Sequence, residues 1–167
     1  VIDVADASGT GLFDVANRAW SDEMLEATRV PREWMPRVAE SPEVVDRVSA
    51  AGAKATGLAE GTPSVAGAGD QAAEAVGCGI ASDGAVSVAL GTSGVVFVST
   101  SEPRLDPTGR MHAYAHAVPG AWHLMGVMLS AGGSLRWFRD ALGADVKPVA
   151  QQRGVDPYDI LIEEAAT

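Results

Sequence analysis

A single cysteine, Cys78, is all the thiol this 167-residue sequence has, so no internal disulfide can form and no zinc or redox site can rest on cysteine alone. A reducing cytoplasm is the compartment expected from that usage, with Cys78 a small buried hydrophobe. Positive charge is scarce as well. Twelve Lys+Arg stand against twenty-two Asp+Glu, giving net −10 and a pI near 4.6. Such a surface repels a phosphate backbone and an anionic bilayer, which disfavours nucleic-acid and membrane partners. No run of about 18 uncharged apolar residues occurs, and the first residues lack the basic stretch, apolar stretch and cleavage site of a signal peptide. A soluble, untargeted protein is expected. The sequence begins with Val1 in place of Met and stops at Thr167 just after an uncapped helical stretch, so a piece of a longer chain is expected too.

What is present argues for a folded core. Apolar residues make up 47% against 20% charged, with mean hydropathy +0.09, and a chain that can bury so much apolar surface offsets its ordering entropy. The length suits about one domain.

Local signals place the elements. Ser21 reads as the N-cap of a helix over 22–27, with Asp22 and Glu23 in its first turn. Pro31 and Pro36 break the next stretch and leave Trp34 and Met35 as packing residues in an irregular connection. Residues 43–48 read as an extended run before a helix opened by Ser49 and closed at Gly57. Residues 62–67 read as a short buried strand, followed by Ala68-Gly69-Asp70 and a helix over 71–78. Two hairpins follow: 85–90 with 95–100 around Gly91 to Gly94, and 112–118 with 121–128 around Pro119-Gly120. A helix over 135–142 ends at Gly143, and Asp156-Pro157 opens a last one reaching about Ala165. The mixture favours an α/β architecture with antiparallel pairs, divided near residues 78–84, where Gly77, Gly79 and Gly84 give the backbone room.

Chemistry gathers at few positions. Asp70 stands where a strand hands over to a helix, between glycines that let a substrate near the backbone. A helix N-terminus favours its ionised form, so it suits a proton acceptor for a hydroxyl; an ordinary N-cap aspartate is the competing reading. Gly91-Thr92-Ser93-Gly94 can present backbone N–H groups to an anion without a lysine, although such a turn is often only a turn. Neither a Walker loop nor a Rossmann fingerprint occurs, and no G-x-S-x-G elbow supports hydrolysis. His112 and His116 on one strand would be about 13 Å apart, so they and His123 read as satisfied, partly buried histidines and not a metal site. Trp122, Trp137 and Phe138 read as core residues.

Three blocks in order resemble the FGGY family of sugar kinases: Asp6-Ala7-Ser8-Gly9-Thr10 with Phe13-Asp14-Val15-Ala16, Gly67-Ala68-Gly69-Asp70-Gln71-Ala72-Ala73, and Leu90-Gly91-Thr92-Ser93-Gly94-Val95. The stretch from Trp122 to Ala131 is similar to the ketopentose branch of that family and unlike the glycerol branch. The likeness covers about the middle third of a family member. It implies an actin-like, ribonuclease-H-like α/β fold whose two domains close on ATP and sugar, residues 1–80 ending the first and 81–167 beginning the second. By the same resemblance Asp70 is the catalytic base. It deprotonates the terminal hydroxyl of a ketopentose, D-xylulose, as that hydroxyl attacks the γ-phosphate of magnesium-bound ATP. Asp70 and Gln71 bind the substrate, Gln71 standing where relatives often have Asn. Gly91, Thr92, Ser93 and Gly94 face the ATP phosphates. The implied cofactors are ATP and Mg2+, no metal ligand is assigned in the chain, and the full-length enzyme is compatible with a homodimer. The family's N-terminal phosphate loop, upstream sugar-binding segment and C-terminal adenine site have no counterpart here, and Ala5 stands where many relatives carry Ser or Thr. Little kinase activity is therefore expected of the 167 residues alone. Another FGGY kinase, acting on gluconate, fuculose or glycerol, and a non-catalytic sugar-binding module remain the alternatives.

Overall fold

The computed structural model describes residues 1–166. Strand β1 (Ile2–Asp3) leads directly into the short helix α1 (Val4–Ser8), because the Asp3 carboxylate caps it, accepting from the N–H groups of Ala5 at 2.8 Å and Asp6 at 3.1 Å. This helix was not foreseen. A hairpin of β2 (Phe13–Asp14) and β3 (Ala19–Trp20) follows, then α2 (Asp22–Thr28), capped by Ser21 as expected. After a 3-10 turn over Arg32–Trp34, β4 (Val38–Ala39) pairs in parallel with β1.

Strand β5 (Val44–Arg47), α3 (Ala50–Thr56) between Ser49 and Gly57, and β6 (Pro63–Val65) match the expected order, with β5 and β6 antiparallel. All three residues of β6 are exposed, so it is not the buried strand expected. Helix α4 (Asp70–Gly77) takes Gly69 as its N-cap. Strands β7 (Val86–Leu90), β8 (Gly94–Thr100), β9 (His112–Ala115) and β10 (Trp122–Met128) form one sheet in the order β7-β8-β10-β9, with both expected hairpins present. Helices α5 (Gly132–Ala141), α6 (Val146–Arg153) and α7 (Pro157–Ala165) complete the described chain. Asp156 caps α7 as expected, whereas α6 was missed because it carries Pro148. Pro148 falls in its first turn, where a proline costs the helix no hydrogen bond.

Two compact units result, Val1–Ser87 with Val96–Gly126, and Val88–Val95 with Val127–Thr167. Neither is one sequence stretch. In the first, Val4, Ala7, Phe13, Trp20, Leu25 and Ala115 form the core, with Met35 and Trp122 packed against it. Burial of each large side chain contributes roughly 1.5–3 kcal/mol. The indole N–H groups are not stranded: Trp20 donates to the Pro36 carbonyl and Trp122 to the Val15 carbonyl, each at 2.8 Å. In the second, Val146 and Ala150 of α6 pack on Ile160 and Leu161 of α7.

Several expected packing residues lie outside these cores. Trp34 is 71% exposed, Trp137 61% and Phe138 45%, and Cys78 is exposed rather than buried. Hydrophobicity states what a side chain favours; neighbouring elements decide whether it is covered.

Candidate active site

The first unit carries a cleft of about 130 Å³ whose lining includes Asp6, Asp70, Gln71, Tyr114, His123 and Met125. Sequence-distant elements converge on it: α1 brings Asp6, the start of α4 brings Asp70 and Gln71, and paired positions of β9 and β10 bring Tyr114 and His123.

Asp70 occupies the first helical position and is exposed, and α4 has no side-chain cap. Among the described residues its Oδ1 accepts only from the adjacent Gln71 N–H, at 2.7 Å. The plain capping reading therefore does not describe it. The carboxylate is open to the cleft at the N-terminal end of an eight-residue helix.

Asp6 faces the same space. Burial pushes its pKa above the ordinary carboxylate value, and the charges of Asp3 and Asp70 push it the same way. Gly69 leaves room for Asp6 beside the start of α4: a Cβ there would lie 2.7 Å from Asp6 Oδ1.

One buried imidazole, His123, lines the cleft, and a second, His116, lies behind it with the ring centroids 5.8 Å apart. His116 is satisfied, with Nε2 3.0 Å from the Ile80 carbonyl and Nδ1 accepting from the Val118 N–H at 3.0 Å. The tautomer protonated at Nε2 meets both contacts. His123 is 2% exposed, and among the described residues both its ring nitrogens lack a partner. It stacks on Phe97 at 4.1 Å and meets the Tyr114 ring edge-on at 5.5 Å. Burial, and secondarily His116, lowers its pKa to about 3, so the ring is neutral. His116 is thus the satisfied histidine expected, whereas His123 is buried without satisfaction and His112 is exposed. Among the described residues no three His, Cys, Asp or Glu side chains group to hold a metal. The open carboxylate of Asp70 is a hard oxygen donor of the kind a Mg2+ ion bound mainly by phosphates and water takes from a protein.

In the second unit, Gly91 to Ser93 join β7 to β8, with the Gly91 N–H donating to the Ser93 carbonyl at 2.8 Å. The turn is clasped to the start of α5. Thr92 O accepts from the N–H groups of Ala131 and Gly133, and Gly91 O from that of Gly132, at 2.8–3.1 Å. These N–H groups are consequently engaged by carbonyls rather than by an anion. The fit is close: a Cβ at Gly132 would meet Gly91 O at 2.6 Å, and one at Gly133 would meet Thr92 O at 3.0 Å. A second cleft of about 230 Å³ opens here, lined by Gly91, Thr92, Gly132, Gly133, Arg136 and Tyr158. Arg136 supplies a cation beside the turn that the sequence reading overlooked.

The fold is shared with sugar kinases of the actin-like ATPase type. A xylulose kinase structure from Rhodospirillum rubrum superposes with a TM-score of 0.80 at 28% identity, over 92% of this chain and 31% of that one. Residues 1–77 match the N-terminal domain of the FGGY family of carbohydrate kinases. The chain is 42% identical over 146 residues to the xylulose kinase of Escherichia coli K12, covering 87% of this chain and 30% of that protein. It is 32% identical over 165 residues to an autoinducer-2 kinase of Yersinia pestis, covering 99% of this chain and 31% of that protein. The chain belongs to the FGGY family, and spans about three tenths of the length of these relatives.

Proposed function

We propose that the full-length protein carrying this chain is an ATP-dependent kinase that phosphorylates the terminal hydroxyl of D-xylulose in the cytoplasm, giving the 5-phosphate. The observation that carries this reading is the open carboxylate of Asp70, beside Gln71, in a cleft of polyol size. Phosphoryl transfer asks mainly for positioning and charge stabilisation. Asp70 accepts the proton of the attacking hydroxyl, whose oxygen forms the new bond to the γ-phosphorus as the bond to the β-bridging oxygen breaks and ADP leaves. Gln71 offers an amide donor and acceptor to a neighbouring hydroxyl. Magnesium-bound ATP would supply the phosphoryl group, with the ion neutralising its charge, and Asp70 would be the carboxylate available to that ion.

Gly91, Thr92, Ser93 and Gly94 are assigned to the ATP phosphates. The clasp to α5 supports this by fixing the turn's backbone, and Arg136 adds charge for the anion. Residues 1–80 are assigned to the first kinase domain and 81–167 to the second, and the 167 residues alone are expected to turn over little ATP.

The near-complete alignment with the autoinducer-2 kinase favours a second reading, a related kinase for a different polyol. A coupled assay of the full-length protein over a panel of ketoses, gluconate, glycerol and autoinducer-2 separates the two, with product identified by phosphorus NMR. D-Xylulose turned over with the highest kcat/KM is the expected result, and preference for another acceptor overturns the substrate assignment.

A further inference from the structure

We propose that Asp6 is a second substrate-positioning carboxylate of this cleft, holding a polyol hydroxyl beside the one that Asp70 deprotonates, and thereby helping to determine which polyol is accepted. The inference rests on the kinase reading above and extends it to a residue that reading does not use.

Asp3 and Asp6 sit on one short element, yet their carboxylates are used in opposite ways. Asp3 is 3% exposed and spent on capping α1. Asp6 opens to the cleft, and among the described residues its side chain makes no hydrogen bond or ion pair. Nothing in the folded chain compensates a charge crowded by two other carboxylates, which raise its pKa together with burial. A hydroxyl donor from a ligand does.

Position agrees. The Asp6 Oδ1 is so close to Gly69 that no side chain fits between them, which sets this acid beside the backbone leading into Asp70. A separate observation marks the same cleft as a ligand site: His123 lines it, is 2% exposed, and has neither ring nitrogen satisfied. A buried polar group without a partner is costly, and a polar ligand or its water relieves that cost. The remaining lining suits a polyol in particular. Asp6 and Asp70 accept, Gln71 and Tyr114 donate and accept, and Met125 offers an apolar surface for the carbon chain.

The test uses the full-length protein with Asp6→Ala and Asp6→Asn, measuring D-xylulose affinity calorimetrically without ATP and steady-state constants with it. Loss of a hydrogen bond to a charged group predicts a rise of about tenfold or more in sugar Kd and KM for Asp6→Ala. Asp6→Asn, which keeps one acceptor oxygen, is expected to show a smaller rise, with kcat and the Mg2+ and ATP requirements little changed in both. Equal thermal unfolding of Asp6→Asn and wild type shows that the fold is kept. A folded Asp6→Ala protein with unchanged sugar affinity, or one weakened toward magnesium-ATP instead, overturns the assignment. A wild-type protein that binds no polyol overturns the kinase reading together with it, whereas an active wild type with indifferent Asp6 variants overturns this inference alone.

Discussion

The Cα of Gly69 faces the carboxylate of Asp6 so closely that a methyl group on it would lie 2.7 Å from Oδ1. Gly69 has ordinary backbone angles, φ −53 and ψ 146, so it is the neighbour and not the conformation that requires glycine here. Gly69→Ala must push Asp6 aside or displace the start of α4. The expected cost is about 1–3 kcal/mol by denaturant titration, with a fall in kcat/KM for sugar in the full-length protein because Asp70 moves with the helix.

His123 predicts a pH dependence of stability. Its folded pKa, about 3, lies below the ordinary 6.5, so between these values the unfolded chain binds more protons than the folded one. The stability held above about pH 6.5 is therefore lost progressively as pH falls toward 3. Burial lowers the His116 pKa in the same direction. Replacing His123 with Phe removes the unsatisfied nitrogens and keeps a ring against Phe97. The variant is expected to unfold at the same or higher temperature at pH 7, with a shallower acid loss in a pH series of melting curves.

Arg18 ties four parts of the first unit together. Its guanidinium bonds both Glu40 carboxylate oxygens, at 2.9 and 3.3 Å, reaches the Ala121 carbonyl at 3.1 Å and the His116 carbonyl at 3.4 Å, and lies 4.8 Å from the Trp122 ring. Its side chain is only 14% exposed. Arg18→Ala is expected to destabilise by about 2–4 kcal/mol, as loss of a largely buried charged partner does. Arg32→Ala, which breaks the exposed pair with Asp22, should change stability far less in the same thermal assay.

In the second unit, Gly132→Ala sets a methyl 2.6 Å from Gly91 O and must loosen the clasp between the turn and α5. If the turn holds ATP phosphates, KM for ATP rises in the full-length protein while KM for sugar stays near wild type. A rise confined to the sugar contradicts the assignment.

Residue-level signals carried the local structure well where a side chain acts on its own backbone. Ser21, Ser49 and Asp156 cap the helices they were expected to cap, and Pro119-Gly120 turns the expected hairpin. Helix α1 escaped because five residues leave no periodicity to see, its signal being the capping carboxylate of Asp3. Exposure was misjudged at Trp34, Cys78, Trp137 and Phe138 because covering a side chain depends on distant elements. The cleft shows the same split. Asp70 stood out from glycines and a helix start and Gln71 from the family resemblance, whereas Asp6, Tyr114 and His123 join them only through the fold. Arg136 sits one turn into α5, and only the clasp brings it beside Gly91 and Thr92.

Asp70→Asn in the full-length protein, assayed for sugar-dependent ATP turnover, bears most directly on the central claim. The amide keeps the shape and removes the base, so kcat is predicted to fall by about 10²–10⁴ with sugar affinity largely retained. Turnover equal to wild type contradicts the claim that this carboxylate takes the proton.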